Sequence, residues 1–313
     1  MTVKQRNPRR PAGNGKPVPR SADSSRTEVV ETPSKYRIDW RRIVSRLLLI
    51  IGIMATVYFT KKDSMMPFAK QKEEITKRSV DISCSEDYTE ELRQFQGCTP
   101  RKCGRVVWDS VVRPSEASAL LNIAQRGLTL GGSAGGASIL DLHSGALSQG
   151  NAFINMYKLD AIKTVFNQDD FRIYSHIKNK IHQAIANHFG ISQDGLYLTH
   201  PTFFSRITSA PPKTIHDEYW HPHVDKETYE SFHYTSLLYL TDYGQDFEGG
   251  RFIFIDKDSN KTVEPRRGRV SAFTSGSENL HYVEPVTSGT RYAITVSFTC
   301  DPTHAITDPK LTT

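Results

Sequence analysis

Hydrophobic side chains recur at different periods in different parts of this sequence. Residues 1–42 show no period: they are rich in Pro, Arg, Lys, Ser and Gly, with few large apolar residues before Trp40, the composition of a disordered tail. Leu47 to Thr60 is a run of fourteen uncharged, mostly apolar residues. That is short of the roughly 20 that span a bilayer. Arg46 can carry its charge back to the headgroups, so a single transmembrane signal-anchor is expected over residues 43–60. Residues 61–100 are polar and read as a stem. A helical period begins at Pro114, with Leu120, Ile123 and Ala124 on one face and Gly127 as its stop. A longer one, Gln168 to His188, places Ile173, Tyr174, Ile177, Ile181, Ala184 and Ile185 on one stripe, and Gly190 follows. Its histidines, His176, His182 and His188, are expected at the surface. Between the two helices, Leu130 to Gly136 is glycine-rich but lacks the Lys-Ser/Thr pair of a phosphate loop. It reads as a mobile loop over an active site, with a plain linker as the alternative.

After Gly195 the pattern shortens to alternating or apolar runs: Leu196 to Thr199, Thr202 to Ile207, Trp220 to Asp225, Tyr234 to Leu240, Arg251 to Ile255, Arg269 to Thr274, Leu280 to Val283 and Arg291 to Thr299. Closely spaced strands broken by Pro, Gly and Asp predict an antiparallel jelly roll, with the long helix covering an outer sheet face. The expected fold class is therefore α+β: a double-stranded β-helix (jelly-roll) core over 196–302, N-terminal covering helices over 101–195, a tail over 303–313, and one transmembrane helix ahead of them.

Charge changes this picture in one respect. Residues 1–46 hold twelve Lys/Arg against four Asp/Glu, a surplus of eight, so the other 267 residues carry about −2 of the total +6. The basic character belongs to the tail, and the folded part is expected to have no general affinity for nucleic acid. Arg37, Arg41, Arg42 and Arg46 make the N-terminal flank of the apolar run the more basic one, which predicts a cytosolic tail and a luminal C-terminal region: a single-pass type II protein of the ER or Golgi. Cys84, Cys98, Cys103 and Cys300 form no CxxC pair and suit an oxidising lumen, where they would staple an N-terminal segment to the domain. Asn260-Lys261-Thr262 is a glycosylation sequon, which makes Asn260 a candidate acceptor.

The chemistry centres on Tyr219-Trp220-His221-Pro222-His223-Val224-Asp225. Alternate residues of a strand face one way, so His223 and Asp225 would present an imidazole and a carboxylate to one point. His281 could complete a two-His, one-carboxylate face suited to non-haem Fe(II). His221 shares the face of His223 and competes with it, but the spacing to Asp225 favours His223. His216 and His233 lack a carboxylate two residues on and read as structural or exposed. An antiparallel return through Pro285 to Gly289 would set His281 and Arg291 on neighbouring strands. Ala293, Thr295 and Ser297 then share the face of Arg291 and leave room for a ligand, while Tyr292, Ile294, Val296 and Phe298 form core.

Further stretches carry a resemblance: His223 to Asp225, Tyr234 to Leu240, Phe247 to Phe252, Pro265 to Val270, His281 to Val286 and Gly289 to Tyr292. In this order they resemble the core of the Fe(II)- and 2-oxoglutarate-dependent dioxygenases, in the prolyl 4-hydroxylase-like branch. The resemblance implies that His223, Asp225 and His281 ligate iron and that Arg291 grips the distal carboxylate of 2-oxoglutarate, a bidentate task suited to a guanidinium. Tyr239 matches a tyrosine whose hydroxyl lies near that carboxylate. It also implies O2 as co-substrate, L-ascorbate as the reductant that keeps iron ferrous, release of succinate and CO2, and hydroxylation of a protein or peptide. The tyrosine that many relatives carry about ten residues before the first ligand has no clear match, because Ile207 to Trp220 is longer and holds Pro211-Pro212. Collagen proline as substrate is therefore not implied. A catalytically silent metal-binding module and a cupin-like metalloenzyme without 2-oxoglutarate are the alternatives; the intact triad counts against the first and Arg291 against the second.

Overall fold

The computed structural model describes residues 39–61 and 65–310. Most of the tail expected to be disordered, and the last three residues, lie outside the described residues. Helix α1 (Trp40–Lys61) covers the expected anchor. Arg41, Arg42 and Arg46 occupy its first two turns, and the fourteen uncharged residues Leu47 to Thr60 follow within the same helix. Among the described residues no helix is long and apolar enough to cross a membrane, so the expectation for residues 43–60 is not confirmed.

The remaining elements follow in order. The first are β1 (Met65–Ala69), β2 (Arg78–Ile82), the single turn α2 (Glu91–Gln94), β3 (Cys103–Trp108) and α3 (Pro114–Gly127). Next come β4 (Gly132–Ser133), β5 (Ala137–Leu140), β6 (Ala146–Gly150), β7 (Ala152–Asn155), α4 (Ile162–Val165) and α5 (Gln168–Phe189). The C-terminal part holds β8 (Tyr197–Thr208), the short α6 (Asp225–Thr228), β9 (Tyr234–Tyr239), β10 (Phe247–Gly249) and β11 (Phe252–Phe254). It closes with β12 (Asn260–Val263), β13 (Val270–Thr274), β14 (His281–Val283) and β15 (Val286–Thr299).

Two sheets result. The smaller runs β1-β12-β11-β14 and the larger β2-β3-β13-β9-β15-β8-β5-β6-β4, with β7 and β10 paired at its margins. Between them lies an apolar layer in which Phe252, Phe254 and Val263 of one sheet meet Val107, Leu237, Phe273 and Ala293 of the other. The outer face of the larger sheet is just as apolar. Ile294, Val296 and Phe298, alternate residues of β15, join Leu238 and Phe204 beneath Tyr174, Ile177, Ile181 and Ile185 of α5. Both faces of β15 are thus buried, and period two serves only to divide its side chains between two layers. Helix α5 is delimited as its sequence requires. Asn167 accepts from the amide of Asp170 at 3.1 Å while Asp170 accepts from that of Asn167 at 2.9 Å, and Gly190 ends it with a left-handed φ of +69°.

The domain boundaries differ from expectation. Residues 61–100 are not a stem: β1 pairs in parallel with β12 and β2 pairs with β3, so this stretch supplies an edge strand to each sheet. Residues 101–195 are not only helical, since β3 to β7 all join the larger sheet. These strands are short or polar at alternate positions, below what periodicity detects. Leu196 to Ile207 forms one strand through Pro201 rather than two. Two disulfides, Cys84–Cys103 and Cys98–Cys300, use all four cysteines; the second ties the N-terminal segment to the end of β15. His182 and His188 are half-buried, one stacked on Phe298 and the other edge-on to Trp108, while His176 is exposed. Burial pulls His188 down to about 4.

Candidate active site

His223, Asp225 and His281 converge, each offering one ligand atom, and these atoms all lie within 4.8 Å of one another. They do not do so as a His-x-Asp strand. His223 makes an isolated antiparallel bridge to His281, with backbone N–H donated each way at 2.9 and 3.1 Å, and Asp225 then opens α6. The bridge brings the two imidazoles to a centroid separation of 4.4 Å, and the helical turn swings the carboxylate between them, Oδ1 at 3.7 Å from each Nε2.

The hydrogen bonds leave this cluster suited to a cation. Nδ1 of His281 donates to the Asn279 carbonyl at 2.8 Å and Nδ1 of His223 to the His221 carbonyl at 2.9 Å. Each ring is thereby held in the tautomer whose Nε2 lone pair faces its partners. Oδ2 of Asp225 is buried without a hydrogen-bond partner among the described residues. A buried carboxylate oxygen left bare beside two imidazole lone pairs is costly unless something positive satisfies it. Burial, opposed by the Asp225 charge, pulls His281 down to about 4, so its ring is neutral at pH 7 and free to ligate. Phe252, Phe254 and Phe273 wall that ring at centroid distances of 4.9, 6.3 and 4.9 Å. Only His223 is substantially open, with 43% of its side chain exposed against 12% for Asp225 and 4% for His281, which puts the mouth of the site on the 218–223 side.

Arg291 is not on a strand next to that of His281. β14 pairs with β11 and β15 with β8 and β9, so the two residues face each other from opposite sheets. Arg291 is 1% exposed; its Nε donates to the Gly250 carbonyl at 2.9 Å, and Nη2 has no hydrogen-bond partner among the described residues. Comparison with Arg269, also fully buried, separates two uses of a guanidinium. Arg269 spends Nε and Nη2 on Asp109 at 2.8 and 2.9 Å and its remaining bonds on the carbonyls of Lys70, Glu264 and Glu73. It is a satisfied structural cation, whereas Arg291 has no carboxylate and keeps a donor in reserve for one. Burial lowers the Arg291 pKa, with Tyr239 and Tyr219 acting against it. Tyr239 is fully buried, its ring centroid 5.6 Å from the Arg291 guanidinium and its hydroxyl 3.1 Å from Ser271 Oγ.

His221 points away, its Nε2 bonded to Glu218 at 2.8 Å on the surface; it contributes only its carbonyl. His233 is fully buried, its Nε2 3.1 Å from Glu91, and is not one of the converging ligand groups. Asn260 opens β12 in the smaller sheet. The glycine-rich loop is pinned, contrary to its reading as mobile: Asp217 Oδ1 accepts from Ser133 Oγ at 2.9 Å and from the Ala137 amide at 3.1 Å, while Oδ2 accepts from the amides of Lys213 and Thr214. Tyr219 was not singled out by its sequence. Its hydroxyl accepts from the Val286 amide at 3.0 Å; burial raises its pKa, opposed by that amide and by the Arg291 charge. It lies on an irregular loop, where no periodicity shows which way a side chain points.

Comparison with known proteins agrees with this geometry. Residues 213–299 match the family model described as 2OG-Fe(II) oxygenase superfamily. The chain is 54% identical over 288 residues to 2-oxoglutarate and iron-dependent oxygenase domain-containing protein 3 of Xenopus tropicalis, covering 89% of this chain and 90% of that one. The protein of the same name from Rattus norvegicus is 53% identical over 310 residues, covering 97% and 98%. Prolyl 3-hydroxylase 1 of Mus musculus is 28% identical over 229 residues, covering 65% of this chain and 29% of that protein.

Proposed function

The chain belongs to the 2-oxoglutarate- and iron-dependent oxygenases, and we propose that it hydroxylates a side chain of a protein or peptide, with His223, Asp225 and His281 holding the iron. The observation that carries this is the pairing of a preset triad with a buried guanidinium that has a donor to spare. The bound iron, with O2, supplies the oxidation that converts 2-oxoglutarate to succinate and CO2 and places one oxygen atom on a C–H bond. Arg291 grips the distal carboxylate in a charge-assisted bond, with the Tyr239 ring 5.6 Å from the guanidinium. The aromatic wall around His281 keeps water from the inner side, and substrate approaches over His223. L-ascorbate serves as reductant. A peptide substrate is supported by the similarity to a protein named prolyl 3-hydroxylase. The longer stretch Ile207 to Trp220 gives no ground for inferring collagen proline as the substrate.

Anchoring belongs to the same proposal: residues 43–60 hold the chain to a bilayer, with the catalytic region in the lumen of the ER or Golgi and Asn260 glycosylated. Leu48, Leu49, Ile51 and Met54 of α1 are each at least 60% exposed and face several directions, which suits lipid on every side, and the two disulfides suit an oxidising lumen. The catalytic reading is tested by succinate and CO2 release from 2-oxoglutarate with Fe(II), for wild type and His223→Ala. Turnover, or a 2-oxoglutarate-dependent Fe(II) absorption band, is expected for wild type and neither for the variant. Absence of both from wild type sinks the reading.

A further inference from the structure

We propose that the segment between Cys84 and Cys103 is a buttress for the metal-binding triad, in which Tyr88 and Glu91 act as positioning residues for His281 and Asp225. This rests on the reading of His223, Asp225 and His281 as ligands. One arm runs to His281. Asp87 Oδ2 accepts from the Ser277 amide at 2.6 Å, and the hydroxyl of Tyr88, 1% exposed, accepts from the Gly276 amide at 2.5 Å and donates to Glu278 at 3.2 Å. Glu278 also accepts from the Ser85 amide at 3.3 Å. These bonds fix the turn 276–278, and the next residue, Asn279, supplies the carbonyl that orients the His281 ring. Its own side chain is tied down in turn, donating to the Thr274 carbonyl at 2.9 Å.

The other arm runs to Asp225. Its neighbour Lys226 is only 8% exposed, and the ammonium lies 2.8 and 3.0 Å from the two oxygens of Glu91 while also donating to the Glu230 carbonyl at 2.7 Å. Without that carboxylate the buried ammonium keeps only the carbonyls of Glu230 and Phe232 and its charge is unpaired, which loosens the single turn of α6 that Asp225 begins. The arms meet, since the Lys226 ammonium stands 5.6 Å from the Tyr88 ring centroid. The segment itself holds only a three-residue helical turn, Glu86–Tyr88, and the four residues of α2, too little to hold a fixed position by backbone bonding. What fixes it is covalent, Cys84–Cys103 at its ends and Cys98–Cys300 onto the last strand, with the Tyr234 hydroxyl donating to the Cys98 carbonyl at 2.8 Å.

Groups that orient metal ligands from behind typically cost 10–100-fold in metal affinity when removed. The test is Co(II) titration of the full chain, read by the visible absorption of the bound ion, for wild type, Tyr88→Phe, Glu91→Gln and His223→Ala. Tyr88→Phe and Glu91→Gln are expected to weaken Co(II) binding about 10–100-fold and to alter the band shape, with partial recovery in Glu91→Asp. Ile181→Ala, on the core-facing side of α5, is expected to lower Tm and to leave both affinity and spectrum unchanged. If Glu91→Gln does not fold, Tyr88→Phe, which keeps the ring, carries the test. Wild-type affinity and spectrum in folded Tyr88→Phe and Glu91→Gln overturn the buttress. Wild-type affinity in His223→Ala overturns the ligand reading beneath it instead.

Discussion

Arg291 and Gly250 show how a side chain and a backbone share one task. Gly250 has a φ of +63°, and a Cβ there would stand 2.8 Å from Val286 Cγ2 and 3.1 Å from Arg291 Cδ. Its carbonyl is also the acceptor for Arg291 Nε. Gly250→Ala should therefore destabilise by roughly 1–2 kcal/mol through left-handed strain and also shift the guanidinium. The expected result is a lower Tm together with a higher Kd for 2-oxoglutarate by calorimetry, the second of which simple strain elsewhere would not give. Arg291→Ala removes the charge-assisted bond and is expected to raise that Kd by about 10- to 100-fold, from the ~1.5–3 kcal/mol such bonds contribute. The residue types of the site were legible in the sequence, because few side chains other than His, Asp and Arg serve this chemistry. The route by which they meet was not. His223 and Asp225 reach one point through a bridge and a helical turn, and His281 and Arg291 through opposed sheets, and these are properties of pairing that no local spacing encodes.

Loops and helices carry two further expectations. Asp217 joins the glycine-rich loop to residues 213–214, and the backbone amides of Ala137, Lys213 and Thr214 outweigh its desolvation, holding its pKa at about 2 against an ordinary 3.8. A carboxyl depressed on folding stabilises above its unfolded value and loses that contribution as pH falls through the folded one. Asp217→Asn should thus lower Tm at pH 7, and the difference from wild type should shrink between pH 4 and pH 2 in thermal melts. Gly135 fits the same arrangement, since a Cβ there would lie 2.2 Å from Asp217 Oδ2. On the helical side, Ile181→Ala is expected to cost about 2–5 kcal/mol by denaturant titration, because the side chain is 1% exposed within a closed layer. Helices α3 and α5 could be read from caps and stripe, since each carries its boundaries in its own residues. β4 to β7 could not: two to five residues each, they are held by their neighbours rather than by their own alternation.

Across the full chain, residues 65–108 are integral to the sandwich rather than a stalk beneath it, because β1 and β2 are edges of the two sheets. Truncation before Arg78 should therefore leave β12 unpaired on one side and the Arg269 bonds to Lys70 and Glu73 unmade, and give an insoluble or less stable product in expression trials. In microsomes, protease is expected to remove the tail and spare the catalytic region; degradation of that region without detergent would reverse the orientation. The long-range disulfide adds a constraint in time. Cys98 bonds to a residue synthesised 202 positions later, and all three proposed metal ligands lie between the two. A newly made chain that has not yet closed this bond presents the same three ligands on a loose frame. If these three side chains hold iron as proposed, closure of the Cys98–Cys300 bond is expected to precede stable capture of the metal.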